Sequence, residues 1–338
     1  MAETAGLPEG EGVSAPGAPG IELTLTDAER RVVEDVTSRL AGEVPASAPY
    51  DLCREAPVIA HELPVRLRRA LGRLRQDGPA AYALVHGLAV DDEAIGTTPP
   101  SWGEGPARER TRRQEIQAVL IGSLLGEVFG WQSQQDGAVV HDVLPMREYE
   151  NTQINFASQE PIWWHTEDAF HPFRPDYVGL LCLRNPTAAA TTVSCATDWD
   201  LGDPAFDVLF EPRFRQLPDH SHGVTGDGAE RRPVLFGPRE RPYACVDPYF
   251  LEPPEDGRLA EVLRRFYDTV EASLRQVALA PGDVLLVDNR SAVHGRRPFA
   301  ARYDGKDRWL KRISVSRDLG RCWSAWSKDT RHVLVGDQ

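Results

Sequence analysis

From about residue 138 onward the chain is cut into six short apolar runs, "AVVHDVLP", "DYVGLLCLR", "TTVSCA", "YACVDPYF", "DVLLVDN" and "LKRISVSRD", each bounded by Pro, Gly or Asp-rich turns. Runs of this length, rich in Val and Leu, have the size of strands. One substantial helix, expected at about 256–277, interrupts this half. Regular βαβα alternation is therefore missing, and a doubly wound parallel sheet is disfavoured. The pattern predicts a mostly β core, a sandwich or barrel, with helices outside it. No G-x-G-x-x-G, P-loop, H-E-x-x-H or internal repeat occurs.

The first half reads differently. Thr26-Asp27-Ala28-Glu29 is a capping box, and Val32, Val33, Val36 and Leu40 keep helical spacing, which predicts a helix over about 27–41. A second helix is expected over 64–75, a buried strand over 80–88 ending near Gly87, and a long apolar helix over 112–129. Residues 1–22 are rich in Gly, Pro, Ala and Glu, a composition that cannot bury enough apolar surface to offset chain entropy. They are expected to be a disordered tail, leaving 23–338 as a single domain.

Composition narrows the function. With 51 acidic against 38 basic residues the net charge is -13, which repels a phosphate backbone, and nucleic acid is not an expected partner. No segment approaches 18 uncharged apolar residues, so no membrane span is expected. Cys53, Cys182, Cys195, Cys245 and Cys322 are scattered without a C-x-x-C pair, as in a reduced, cytoplasmic protein.

The chemistry concentrates in "WWHTEDAFHPF", residues 163–173. If this stretch is extended, His165 and Glu167 leave on one face with Thr166 opposite. Taken alone, an H-x-E is far more often a packed histidine beside a solvated acid than a metal site. A third donor is available at His294, just past the apolar run that ends in Asp288-Asn289. Two histidines and one carboxylate can occupy one face of an octahedral Fe(II) and leave three positions open, whereas structural zinc favours four closed ligands. An oxygenase driven by 2-oxoglutarate also needs a cation for the far carboxylate, and Arg308 and Arg312 follow His294 by 14 and 18 residues. Spaced four apart, they share a face in a helix and point one way in a strand. His171, before Pro172, is expected to be structural.

On "GSLLGEVFGWQSQQDGAVVHDVLP", "WHTEDAFHPFRPDYVGLLCLRNP", "VDNRSAVHGRRPF" and "RYDGKDRWLKRI" the chain resembles the clavaminate synthase-like Fe(II)/2-oxoglutarate-dependent oxygenases. Within them it is most similar to the free amino acid β-hydroxylases of the viomycin-pathway arginine hydroxylase group. The resemblance covers nearly everything after the tail. It implies a double-stranded β-helix (jelly roll) with peripheral helices, and Fe(II) held by His165, Glu167 and His294. It implies 2-oxoglutarate held by Arg308 and Thr192, with Thr191 facing the other way, and dioxygen as the second co-substrate. For the amino acid substrate it implies contacts from Gln134, Asn155, Glu167, Asp247, Tyr249 and Arg312, the last at the α-carboxylate. The implied role is hydroxylation at C3 of arginine or a relative such as enduracididine in antibiotic biosynthesis.

Two positions depart from the arginine hydroxylase pattern. An Asp-x-Asp pair is replaced by Asp247-Pro248-Tyr249, and His220 stands where an Asp is expected. Loss of a carboxylate from a guanidinium site costs roughly a few kcal/mol. The substrate is therefore open among arginine, a cyclic guanidine, and neutral amino acids such as citrulline, asparagine or glutamine, with desaturation or C4 hydroxylation as alternative outcomes. A zinc hydrolase on the same ligands and a non-catalytic binding protein are the competing classes. A halogenase is disfavoured because Glu167 fills the position that halide would take.

Overall fold

The computed structural model describes residues 20–44, 49–76, 78, 80–103, 107–152, 156–219, 222 and 230–335. In chain order the elements are β1 (Gly20–Thr24), α1 (Asp27–Glu43), α2 (Pro49–Ile59), α3 (Val65–Arg75), β2 (Tyr82–His86), α4 (Asp92–Ile95), α5 (Ala107–Arg110), α6 (Arg112–Ser123), β3 (Glu127–Trp131) and β4 (Val140–Val143). There follow β5 (Ile162–His165), β6 (Tyr177–Arg184), β7 (Thr191–Cys195), β8 (Leu235–Phe236), β9 (Tyr243–Ala244), α7 (Gly257–Ala272), β10 (Arg275–Val277), β11 (Val284–Asp288), β12 (Ala292–Arg296), β13 (Trp309–Ser316) and β14 (Val333–Leu334).

Two sheets form the centre. The larger runs β1-β2-β11-β6-β13-β3-β14, with β4 also on β13, and the smaller runs β10-β7-β12-β5. Apart from β1 on β2 and β14 on β3, which are parallel, the pairings within these sheets are antiparallel. Leu180, Cys182, Leu285 and Leu310 from one sheet meet Val193, Cys195 and Ala292 from the other. Helices α1, α2, α3 and α6 cover the outer face of the large sheet through Leu40, Leu67, Leu71 and Leu120. Helix α7 covers the small sheet through Leu263, Phe266 and Val270. This is the sheet-dominated core with outside helices that the turn spacing predicts.

Central strand β13 bonds β6 along one edge and, on the other, β4 through Leu310–Ile313 and β3 through Ser314–Ser316. Its alternation divides its side chains between two environments. Arg312 faces the space between the sheets, while fully buried Lys311 faces α6, where Glu115 and Asp142 accept from its ammonium at 2.9 and 2.7 Å.

Several boundaries differ from the sequence reading. The expected tail, residues 1–22, overlaps β1, where Gly20 to Glu22 pair with Tyr82 to Leu84; residues 1–19 lie outside the described residues. Helix α6 stops at Ser123 instead of running to 129, because Gly126 lies so close to β13 that a Cβ there would sit 2.1 Å from the Ser316 carbonyl oxygen. The β-branched and aromatic residues after it form β3 instead. Helix α7 ends at Ala272, since Arg275–Val277 pair with β7. In "YACVDPYF" only Tyr243–Ala244 is strand. The capping box is present, with Thr26 and Glu29 bonded reciprocally. All five cysteines are free.

Gly126→Ala is expected to lower the urea midpoint, at an unchanged slope, by the equivalent of about 1–3 kcal/mol. Gly72→Ala inside α3, where a Cβ meets nothing within 4 Å, is expected to hold or raise stability by about 0.5–1 kcal/mol. Both are read by urea unfolding.

Candidate functional site

The metal candidates meet where the small sheet faces the large one. His165 on β5 is paired directly with His294 on β12, and between this pair and Ile162–Arg296 two residues of β5, Trp163 and Trp164, oppose one of β12, Gly295. This β-bulge turns Trp164 outward onto Phe266 while His165 faces in. Gly295 makes it possible, since a Cβ there would sit 2.7 Å from the Ile162 oxygen.

Glu167 follows β5, with Thr166 turned the opposite way to bond Val246. The carboxamide of Asn289 grips the Glu167 backbone on both sides, accepting from its N–H at 2.7 Å and donating to its carbonyl at 3.1 Å. One carboxylate oxygen, Oε2, lies 3.5 Å from His165 Nε2 and 3.3 Å from His294 Nε2; the other, Oε1, accepts from Arg312. His165 Nδ1 is 2.8 Å from the Trp163 carbonyl, so it carries the proton and Nε2 faces its partners. His294 Nδ1 is buried with no hydrogen-bond partner.

Burial opposes the charge on His165, but Glu167 and Asp247 outweigh it and raise its pKa to about 9. Burial resists the charge on Glu167 too, and Arg312 with the two imidazoles holds it well below the usual range. The ligand atoms lie within 4.8 Å of one another, the one such His/Cys/Asp/Glu group among the described residues. Three converging donors with an open side fit a divalent metal that keeps exchangeable positions.

Two cavities adjoin this cluster. The inner one is lined by Thr191, His294, Arg296, Arg308, Leu310 and Arg312 among others. Arg308 is buried, its Nε has no hydrogen-bond partner, and no carboxylate among the described residues pairs with it. Burial lowers its pKa to about 10, and burial together with Arg308 lowers that of Arg296 to about 9. Two buried guanidiniums make this an anion pocket. Thr191 lines it, whereas Thr192, the residue expected there, turns its side chain to the opposite face of β7, beside Gly295. The strand period of two decides this.

The outer cavity holds about 380 Å³ and is bordered by Gln134, Glu167, Asp219, Asp247, Tyr249 and Arg312. Arg312 donates to Glu167, to Gln134 Oε1 at 3.0 Å and to His141 Nδ1 at 2.9 Å. Burial, then the Arg312 charge, takes His141 down to about 3, so it is neutral. Asp247 is raised to about 6, mainly by burial, with nearby Asp219 adding to the rise. Tyr249 stands half-exposed at the rim.

A model of the family "Taurine catabolism dioxygenase TauD, TfdA family" matches residues 208–314. An L-ornithine/L-arginine 3-hydroxylase of Catenulispora acidiphila is 40% identical, over 89% of this chain and 96% of that one. The chain belongs to the clavaminate synthase-like Fe(II)/2-oxoglutarate-dependent oxygenases. An enduracididine beta-hydroxylase of Streptomyces hygroscopicus is 36% identical over 93% of this chain and 99% of that one. The crystal structure of the non-heme iron oxygenase OrfP in complex with Fe and alpha-ketoglutaric acid superposes with a TM-score of 0.86 at 38% identity, covering 93% of this chain and 99% of that one. The two-sheet core of this oxygenase is thus the expected jelly roll.

Of the expected site residues, His165, Glu167, His294, Arg308, Arg312, Gln134, Asp247 and Tyr249 border the two cavities. Asn155 and His220 lie outside the described residues. His171 is packed against Trp131 and accepts from the Phe173 N–H, away from the cluster. Sequence reasoning missed His141, Asp219, Arg296 and Asn289. Asn289 had a signal, an amide in "VDN" at the end of an apolar strand; the others had none.

Asn289→Ala is expected to weaken Co(II) binding to the metal-free oxygenase by about 10- to 100-fold, because Glu167 loses both backbone ties. Titration followed by the visible Co(II) bands measures this.

Proposed function

We propose that this oxygenase hydroxylates a free guanidino amino acid, arginine or an arginine-derived compound such as enduracididine, at C3. His165, Glu167 and His294 would hold Fe(II), and Arg308 with Thr191 would hold the far carboxylate of 2-oxoglutarate in the inner cavity. When bound, the iron with 2-oxoglutarate and dioxygen supplies the oxidation that turns a C–H into C–OH, while the keto acid becomes succinate and CO2.

The observation that carries the substrate class is the charge layout of the outer cavity, with the guanidinium of Arg312 beside Glu167 at the metal end and the carboxylates Asp219 and Asp247 elsewhere on its wall. An amino acid places its α-carboxylate against Arg312 and its ammonium against Glu167. Oε1 of Gln134 accepts from Arg312 and its amide nitrogen lies 3.1 Å from His222 Nε2, so both ends of the carboxamide are held at the cavity wall. By sequence, Asp247 is the acid that remains, and His220 stands where a second is expected. Asp219, next to that position, lines the cavity and supplies a second carboxylate. Two neighbouring acids suit a planar cation with several N–H donors, whereas an uncharged amide neutralises neither. Relatives that act on arginine or ornithine and on enduracididine support both the class and C3.

The protein's own work is positional. Arg312 and the two acids hold the ends of the substrate, and the apolar walls between the sheets limit water. We take the chain from Gly20 onward to act as one catalytic domain, since β1 belongs to the large sheet and both sheets border the same cavities. A reducing, cytoplasmic setting agrees with five unpaired cysteines. No helix among the described residues is long and apolar enough to cross a membrane.

Succinate release against a panel of free amino acids tests the reading. Arginine or a guanidino relative is expected to stimulate it, and Asp219→Asn and Asp247→Asn are each expected to raise the KM for that substrate about 10- to 100-fold. If no guanidino compound stimulates turnover of the iron-loaded protein, the substrate class is wrong.

A further inference from the structure

Arg312 is the cation on which the proposed amino acid site rests, and its aim is set by a histidine that takes part in nothing else described so far. On β4, His141 is the cross-strand partner of Arg312 on β13. The imidazole stands between two fixed groups. Its Nδ1 accepts from Arg312 Nη2 at 2.9 Å, and its Nε2 donates to the Ala138 carbonyl at 2.9 Å. The second bond fixes the tautomer that makes the first possible.

Ala138 in turn closes a tight turn. Gln135, Asp136 and Gly137 have φ of +44°, +56° and +77°, a left-handed run that costs energy at its two non-glycine members. The turn is held by Gln135, whose carboxamide bonds the N–H and the carbonyl of Asp142, each at 2.9 Å. Gly130 lets it lie close to β3, since a Cβ there would fall 2.2 Å from the Ala138 oxygen. This turn carries Gln134, the other neutral acceptor on Arg312 Nη2. Both acceptors on one guanidinium nitrogen thus come from one braced segment, residues 134–141.

We infer that His141 is a positioning residue for substrate binding, a neutral acceptor that turns the Arg312 guanidinium toward the α-carboxylate of the amino acid. A second carboxylate at this place would add a competing anion, and a lysine or arginine would oppose donor to donor. The inference rests on the reading of Arg312 as the carboxylate anchor. It concerns a residue that borders the outer cavity and not the inner one.

The two ring nitrogens can be tested apart. Asn at 141 keeps an acceptor near the place of Nδ1, and Gln keeps a donor near the place of Nε2. L-Arginine is titrated calorimetrically into anaerobic protein carrying Zn(II) and 2-oxoglutarate, and KM values for both co-substrates come from succinate release by the iron-loaded enzyme. His141→Gln is expected to raise the Kd and KM for arginine about 10-fold, with the KM for 2-oxoglutarate and the melting temperature held, and His141→Asn to stay within about 3-fold of the parent. Equal effects of Gln and Asn, or a parallel rise of both KM values, overturn the inference. An Arg312→Lys variant separates the two levels. If it leaves arginine binding unchanged, the anchor reading itself fails; if it weakens binding while His141→Gln does not, only the role of His141 fails.

Discussion

Strand β13 buries a cation on each of its faces, and the rest of the site is arranged around that fact. Lys311 is satisfied by Glu115 and Asp142 on the helix side, and Arg312 by Glu167, Gln134 and His141 on the cavity side. Each cation has its cross-strand partner on β4, Asp142 for Lys311 and His141 for Arg312. A buried charge left without partners costs several kcal/mol, so neither side chain can leave its place without a penalty. Register between β4 and β13 is therefore locked from both faces.

The metal cluster shows a second economy. Glu167 gives one oxygen to the histidine pair and the other to Arg312, while its backbone is gripped by Asn289. No part of this residue is left to choose its own orientation. The neighbouring Asp168, in the left-handed region at φ +51°, accepts from the Trp131 indole and from His222. The strand end that carries the ligands is thus pinned on successive residues.

How much of this was legible in the sequence depended on whether the signal was periodic. His165 and Glu167, two apart, and Arg308 and Arg312, four apart, obey strand alternation, and the structure places each pair on one face. Which of Thr191 and Thr192 borders the inner cavity is not legible locally, because alternation fixes which residues share a face and not which face is inner; Thr191 shares its face with Arg296 through the pairing with β12. Helix α6 was drawn too long because "GEVF" continues an apolar pattern, and the obstacle at Gly126 is the backbone of a strand almost two hundred residues later. His141 and Asp219 were illegible for the same reason. Their roles come from what lies across a sheet or across a cavity, which no local spacing encodes.

The two cavities are built from different parts of the chain. The inner one is lined from strands β4, β5, β6, β7, β12 and β13 and the residues that adjoin them, whereas much of the outer wall, including Gln216, Asp219, Asp247 and Tyr249, comes from the long excursion between β7 and α7. Residues that would grip the co-substrate thus sit on strands of the sandwich, and those that would read the amino acid side chain sit on an excursion that packs Trp199, Phe206, Phe214 and Val246 beside Trp164 and Val293. That separation means that a substitution at Asp219 or Tyr249 bears on the outer cavity alone, because neither residue borders the inner one.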